Sequence, residues 1–179
     1  MTSARREKFK EDNYGKEKQK SALGYICLAL VAICAILAVV GVFLNWIGRE
    51  TILDDVFGDS EQKGFTLGDF DTLAEEFGLE IEPIQGIRAV GYLAVAAICV
   101  VLVAYVVKQL FSFGLFRIIV ILGGVATMAI GVAAIAYTAS QTADWDIVVA
   151  KLVPGIGCYL TSIGAIAGGL FAAVGCFKK

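Results

Sequence analysis

The chain has 179 residues, 58% of them hydrophobic and only 18% charged, where a soluble domain sits nearer half apolar and a quarter charged. With 20 Gly and 2 Pro, this composition excludes a disordered tail and a collagen-like repeat, argues against a soluble enzyme, and points into the bilayer. The 15 Lys+Arg and 17 Asp+Glu give a formal net charge of −2, yet they are gathered into islands separated by stretches with no charge at all.

Residues 1–21 read as a cytoplasmic basic arm, with Arg5, Arg6, Lys8, Lys10, Lys16, Lys18 and Lys20 set against Glu7, Glu11, Asp12 and Glu17. Few apolar groups accompany these charges, which predicts a solvated arm or helix extension drawn to anionic headgroups. Residues 22–47 form the first membrane span. The charge-free run exceeds the ~20 residues that a helix needs to cross a ~30 Å hydrocarbon core. It is also too long for the roughly 7–15-residue apolar region of a cleaved signal peptide. It ends in Phe43, Leu44, Asn45 and Trp46, without a small-x-small cleavage site. The bulky Ile33 stands before Cys34 where a lipobox needs a small residue, so the span reads as an uncleaved anchor.

Residues 48–86 form the first outer loop, where eleven acidic groups face only Arg49 and Lys63. Thr51 as N-cap, Asp54 three residues later and Gly58 at C′ predict a short helix. Thr66 and Asp69 open a second, in which Phe70, Leu73, Ala74 and Phe77 fall on one face, with Gly78 as its stop. Their apolar faces are expected to cover the outer ends of the spans, and Pro83 and Gly86 lead the chain back into the membrane. Asp54, Asp55, Asp69, Asp71, Glu75 and Glu76 make the candidate partner-binding surface. Adjacent acids point in different directions from a helix, whereas paired-carboxylate catalysis needs them to converge on one bond. A calcium loop starting at Asp59 places Lys63 and Phe70 where oxygen ligands are required. Without histidine, the common zinc and iron arrangements are also lost, so no specific metal and no cofactor is expected.

Residues 87–107 form the second span and 118–137 the third. The connection between them, 108–117, is short enough to make them antiparallel neighbours. A second outer loop, 138–151, precedes the fourth span at 152–177 and a C-terminus at 178–179. Runs of this length are too long for barrel strands, so all four are expected to be helices. The N-terminal arm, the 108–117 turn and the last two lysines together hold eleven basic residues, against Arg49, Lys63, Arg88 and Lys151 on the other side. Both termini are therefore expected in the cytoplasm and the chain in the plasma membrane, in contact with the lipid bilayer.

Helix association in lipid relies on close packing at small residues. The third span carries Gly123, Thr127 and Gly131 at spacing four. The fourth carries two rows: Gly164, Gly168, Ala172 and Cys176, and Gly157, Thr161, Ala165, Gly169 and Ala173. These are the candidate helix-packing residues, set to bring the third and fourth spans together or against a partner subunit. Cys27, Cys34, Cys99, Cys158 and Cys176 all fall inside spans, with no Cys-x-x-Cys and no loop pair, and read as small residues filling helix contacts.

The missing histidine removes Ser-His-Asp and Cys-His nucleophiles. No phosphate or dinucleotide fingerprint is present. The one basic segment is short and mixed with acids, so nucleic acid is not an expected partner. The spans carry no ionisable carboxylate or amine, which argues against proton-coupled transport.

A long outer loop, a tight inner hairpin, a shorter second outer loop and a fourth span opening Gly155, Ile156, Gly157, Cys158, Tyr159 and Leu160 resemble the claudin-type tetraspan layout and four-span proteins of bacterial envelopes. The resemblance runs over most of the chain after Ser21. Of the claudin W-x-x-W signature only Leu44, Asn45 and Trp46 remain, and the loop cysteine pair is absent, so its implication is architectural. The expected fold is an all-α, antiparallel four-transmembrane-helix bundle with a small helical extracytoplasmic cap made by the first outer loop. The expected role is a non-enzymatic accessory or scaffolding subunit that binds another membrane protein or itself. The alternative is a small oligomeric channel or lipid carrier without intramembrane charges.

Overall fold

The structure, a computed structural model, describes residues 3–51, 64–78, 81–111, 114–144, 146–147 and 150–177. Along the chain run α1 (Ser3–Val42), β1 (Ile47–Thr51), β2 (Gly64–Phe65), a 3-10 turn (Leu67–Asp69), α2 (Phe70–Phe77), α3 (Ile81–Leu110), α4 (Gly114–Asp144), β3 (Asp146–Ile147), β4 (Ala150–Pro154) and α5 (Ile156–Phe177). Among the described residues four helices, α1 from Ala22 onward, α3, α4 and α5, are long and apolar enough to cross a membrane. The basic N-terminal arm continues α1 back to Ser3 as one helix.

The chain departs from expectation between the helices. The described chain is mostly helical, as expected of an all-α fold, but strands from both inter-helix segments add one sheet in the order β2-β1-β4-β3. Ile47, expected at the end of the first span, opens β1, and Thr51, expected as an N-cap, closes it. The rest of that expected helix, with Asp54, Asp55 and Gly58, lies outside the described residues. The fourth helix starts at Ile156 rather than at Leu152, because 150–154 pair as β4, and α4 runs on to Asp144 through the first half of the expected second loop. One reason covers the two span ends that became strands, at Ile47 and at Leu152. Absence of charge marks a run as apolar but does not distinguish a strand from a helix. β1 and β4 become strands by pairing with each other along their length, from Ile47 opposite Pro154 to Thr51 opposite Ala150. Pro154 sits at the strand end, where its missing N–H costs least. Ile47 and Leu152 fall on one face of the sheet by its two-residue period, and both are buried.

The second expected helix is present as α2. Thr66 and Asp69 close its entry: the Asp69 carboxylate accepts from the Thr66 hydroxyl at 2.7 Å and from the Thr66 N–H at 3.3 Å. Gly78 closes its exit at φ 62°, donating its N–H to the Ala74 carbonyl. That left-handed conformation disfavours a Cβ, so Gly78→Ala is expected to destabilise the end of α2 by about 1–2 kcal/mol, read as faster amide exchange there.

Helix α5 is the most enclosed of the four. A Cβ on Gly164 would stand 2.7 Å from the Cys34 carbonyl oxygen of α1, and one on Gly157 would stand 2.5 Å from that of Gly41. On the α4 side, a Cβ on Gly124 would stand 2.6 Å from the Gly169 carbonyl oxygen and one on Gly131 2.9 Å from that of Ser162. The Gly123 position faces Val101 of α3 at 3.1 Å. These pairings run antiparallel for α1 with α5 and for α4 with α5. Thr161 adds a hydrogen bond from its hydroxyl to the Ala38 carbonyl at 3.1 Å. A core of Cys27, Val31, Ala35, Ile98, Val101, Tyr105, Val120, Ala172 and Cys176 fills the space between them. At the end remote from the sheet, Lys108 donates to the Gly175 carbonyl at 3.3 Å and lies 4.8 Å from the Tyr105 ring centroid. A cation placed there matches the negative end of α5.

Candidate functional site

The sheet, the 3-10 turn and α2 form one module at one end of the helices, organised around Trp46. Residues 43–46 link α1 to β1 and complete the ends of two helices. The last carbonyls of a helix and its first N–H groups lack intrahelical partners. The Trp46 indole N–H donates to the Gly41 carbonyl of α1 at 3.0 Å. The Gly155 N–H donates to the Trp46 carbonyl at 2.7 Å, and the Gly157 N–H to that of Asn45 at 2.8 Å, at the start of α5. The Trp46 N–H in turn donates to the Phe65 carbonyl of β2 at 2.8 Å. Asn45 and Trp46 thus tie α1, the start of α5 and β2 together.

Glycines make the approach possible. A Cβ on Gly155 would collide with the Asn45 carbonyl oxygen, and one on Gly91 of α3 would lie 2.8 Å from the Trp46 ring and 2.9 Å from Leu67. Trp46, Ile47, Phe65, Leu67, Phe70, Leu73, Ile84, Ile87, Leu152 and Cys158 make the core of the module, so both inter-helix segments and the starts of α3 and α5 share one apolar interior.

Arg88 of α3 fastens the 3-10 turn and α2 from below. Its Nε donates to the Leu67 carbonyl at 3.0 Å, Nη2 forms an ion pair with Asp71 Oδ2 at 3.2 Å, and its guanidinium carbon lies 6.0 Å from the Phe70 ring centroid. Asp71 is 78% exposed, so water screens the pair heavily. The bond to the Leu67 carbonyl is the stronger tie, because its donor is charged and half-buried. Arg88→Met is expected to destabilise the module by about 1.5–3 kcal/mol, whereas Asp71→Asn is expected to change stability by less than about 1 kcal/mol. Thermal unfolding of both variants in detergent, with amide exchange over α2, checks this order.

The candidate acids are distributed unevenly. Asp69 is engaged in the turn with Thr66, Asp71 is paired with Arg88, and Glu75 is exposed. Glu76 belongs to α2, and Asp54 and Asp55 lie outside the described residues. The small residues are all in helices: Gly157, Thr161, Gly164 and Gly168 meet α1, with Gly168 also against Ile98 of α3, while Gly169 meets Gly124 and Gly131 meets Ser162. Thr127 is buried and donates to the Gly123 carbonyl of its own helix at 2.8 Å. Sequence reasoning missed Gly41, Gly91, Gly155 and Arg88 as parts of the module. The only local signal was a tryptophan at the end of a charge-free run, which reads equally as an interfacial anchor. The five cysteines are free thiols, and no three His, Cys, Asp or Glu side chains among the described residues are placed to hold a metal ion.

Comparison with protein-family models, with curated proteins and with solved structures finds no match for this chain.

Proposed function

We propose that the chain is a multi-pass plasma-membrane protein, an antiparallel four-helix bundle with both termini cytoplasmic, and that it acts as a non-enzymatic accessory or scaffolding subunit. Its extracytoplasmic cap is the module of sheet and α2, which docks another membrane protein. The observation that supports this reading best is that the small-residue seams are filled from within the chain. Backbone meets backbone along α1–α5 and α4–α5, so the seams are closed to solute and already occupied. The perimeter carries exposed Ile36, Val40, Leu93, Val100, Val103, Leu122, Val125 and Val132, a surface suited to lipid tails. What remains for a soluble face is the cap, held in a fixed shape by Trp46 and Arg88 and carrying exposed Asp69, Asp71 and Glu75. The claudin-like tetraspan layout belongs to the same proposal, supported by two inter-helix segments that share one sheet and by the few residues between Leu110 and Gly114.

A photo-crosslinking residue at Glu75, with a second at Val125 as the lipid-facing control, tests the proposal in native membranes. A reproducible protein adduct at Glu75 and not at Val125 is expected. A chain that runs as a lone monomer in mild detergent and yields no protein adduct at Glu75 overturns it. The channel or lipid-carrier reading needs an oligomer whose pathway is lined by the outward Val, Ile and Leu side chains. Reproducible selective flux in liposomes containing the purified protein would replace the scaffolding reading with that one.

A further inference from the structure

Two cations from different helices converge on the last turn of α5, at the end of the helices remote from the sheet. Lys108 of α3 reaches it directly, donating to the Gly175 carbonyl at 3.3 Å. Arg117 of α4 reaches it by register. The α4–α5 seam passes from Gly131 against Ser162 to Gly124 against Gly169, seven residues along each helix. Seven residues are almost two full turns, so the next step keeps the same faces together and brings Arg117 level with Cys176. Both cations are half-buried.

The helix ends balance only part of this charge. α3 and α5 end here and α4 begins, so their dipoles sum to about half a negative charge, against two full positive ones. No Asp or Glu of these three helices makes up the difference at this end. The sequence has none between Glu82 and Asp144 and none after Asp146. Lys178 and Lys179, which follow α5, have the same sign, and the approach of α1 carries Lys16, Lys18 and Lys20 against Glu17. The pair is bordered by exposed Val106 and Leu110 on α3 and Leu115 and Ile118 on α4, so a ligand that fits must be anionic at one end and apolar along the other. We propose that Lys108 and Arg117 bind the phosphate of an anionic phospholipid, with its acyl chains along that apolar surface. The ammonium of Lys108 has three donors, of which Gly175 takes one, and the guanidinium of Arg117 offers a planar fork that matches phosphate oxygens. The inference requires that the four helices cross a bilayer and is independent of whatever the cap docks.

The unfolding temperature of the purified full chain, measured in a zwitterionic detergent with added phosphatidylglycerol or phosphatidylcholine of identical acyl chains, tests the site. Phosphatidylglycerol is expected to raise it more, and the excess to shrink as salt is added. In Lys108→Gln/Arg117→Gln the excess is expected to fall to about half or less, whereas Arg49→Gln/Lys151→Gln, at the sheet end, is expected to keep it. The excess is read within each variant, so a lower starting temperature does not affect it. Arg117→Gln alone leaves the Lys108 bond to Gly175 in place and is expected to lose part of the excess, which keeps the test available if the double variant does not fold. Equal shifts from the two lipids in the unmodified protein overturn the site. So does an excess that survives in the Arg117 variant and the double variant alike, or a shift that inorganic phosphate alone reproduces.

Discussion

Replacing Trp46 by alanine is expected to lower the stability of the protein by about 3–5 kcal/mol. Trp46 is 0% exposed and its ring packs on Gly91 and Leu67, so truncation leaves a cavity at the meeting point of α1, α3, α5 and the sheet. Its backbone bonds to Phe65 and Gly155 remain in the variant, but the packing that aligns them is lost. Trp46→Phe separates the contributions. It keeps most of the apolar volume and deletes only the bond to the Gly41 carbonyl, which retains the Leu44 N–H as a second donor at 3.3 Å. The phenylalanine variant is therefore expected to lose no more than about 2 kcal/mol. Thermal unfolding in detergent, followed by circular dichroism, checks both. An alanine variant that unfolds with the unmodified protein would show that Trp46 is not the hub of the module.

The second large effect is expected at Gly169. A Cβ there would collide with the Gly124 carbonyl oxygen of α4 and lie 2.9 Å from Met128. Because the nearest atom is backbone, no rotamer change relieves the contact, and the two helices must separate. Gly169→Leu is expected to cost about 3 kcal/mol or more, at the upper end of overpacking penalties. Gly123→Ala supplies the contrast, although both glycines belong to rows of the same spacing. Its Cβ would meet only the Val101 side chain at 3.1 Å, and alanine favours a helix over glycine, so the change is expected to stay within about 1 kcal/mol. Unfolding of both variants under matched lipid and detergent conditions gives the comparison. Equal effects at the two positions would mean that α4 and α5 do not meet as closely as described.

The small-residue rows show how far sequence reading extends. Spacing identified Gly157, Thr161, Ala165 and Gly169 as one line, but an i+4 line winds about 40° around the helix at each step. It therefore does not face one partner. Gly157 and Thr161 meet α1, while Gly169 has come round to α4. The other row, through Gly164 and Gly168, meets Cys34 and Ala38 of α1 and Ile98 of α3. α5 is accordingly enclosed on several sides, which a single stripe does not predict. The acids were legible in a different sense. Their types and the caps at Thr66 and Gly78 were visible, since capping is local chemistry. That Asp71 is paired with Arg88 was not visible, since the partner belongs to the next helix.

The amino-acid sequence by itself determined four helices long and apolar enough to cross a membrane, the amphipathic helix opened by Thr66 and Asp69 and stopped by Gly78, and the spacing of the small-residue rows along the last two long helices. Each follows from properties of a single segment: its length without charge, its periodicity, or the conformation one residue allows. The tertiary structure decided that 47–51 and 150–154 are strands, that residues 43–46 complete α1 and α5 together, and which helix each glycine touches. Those outcomes depend on hydrogen bonds and contacts between segments remote in the chain. A strand exists only with a partner, and an apolar run records that it will be buried without recording against what.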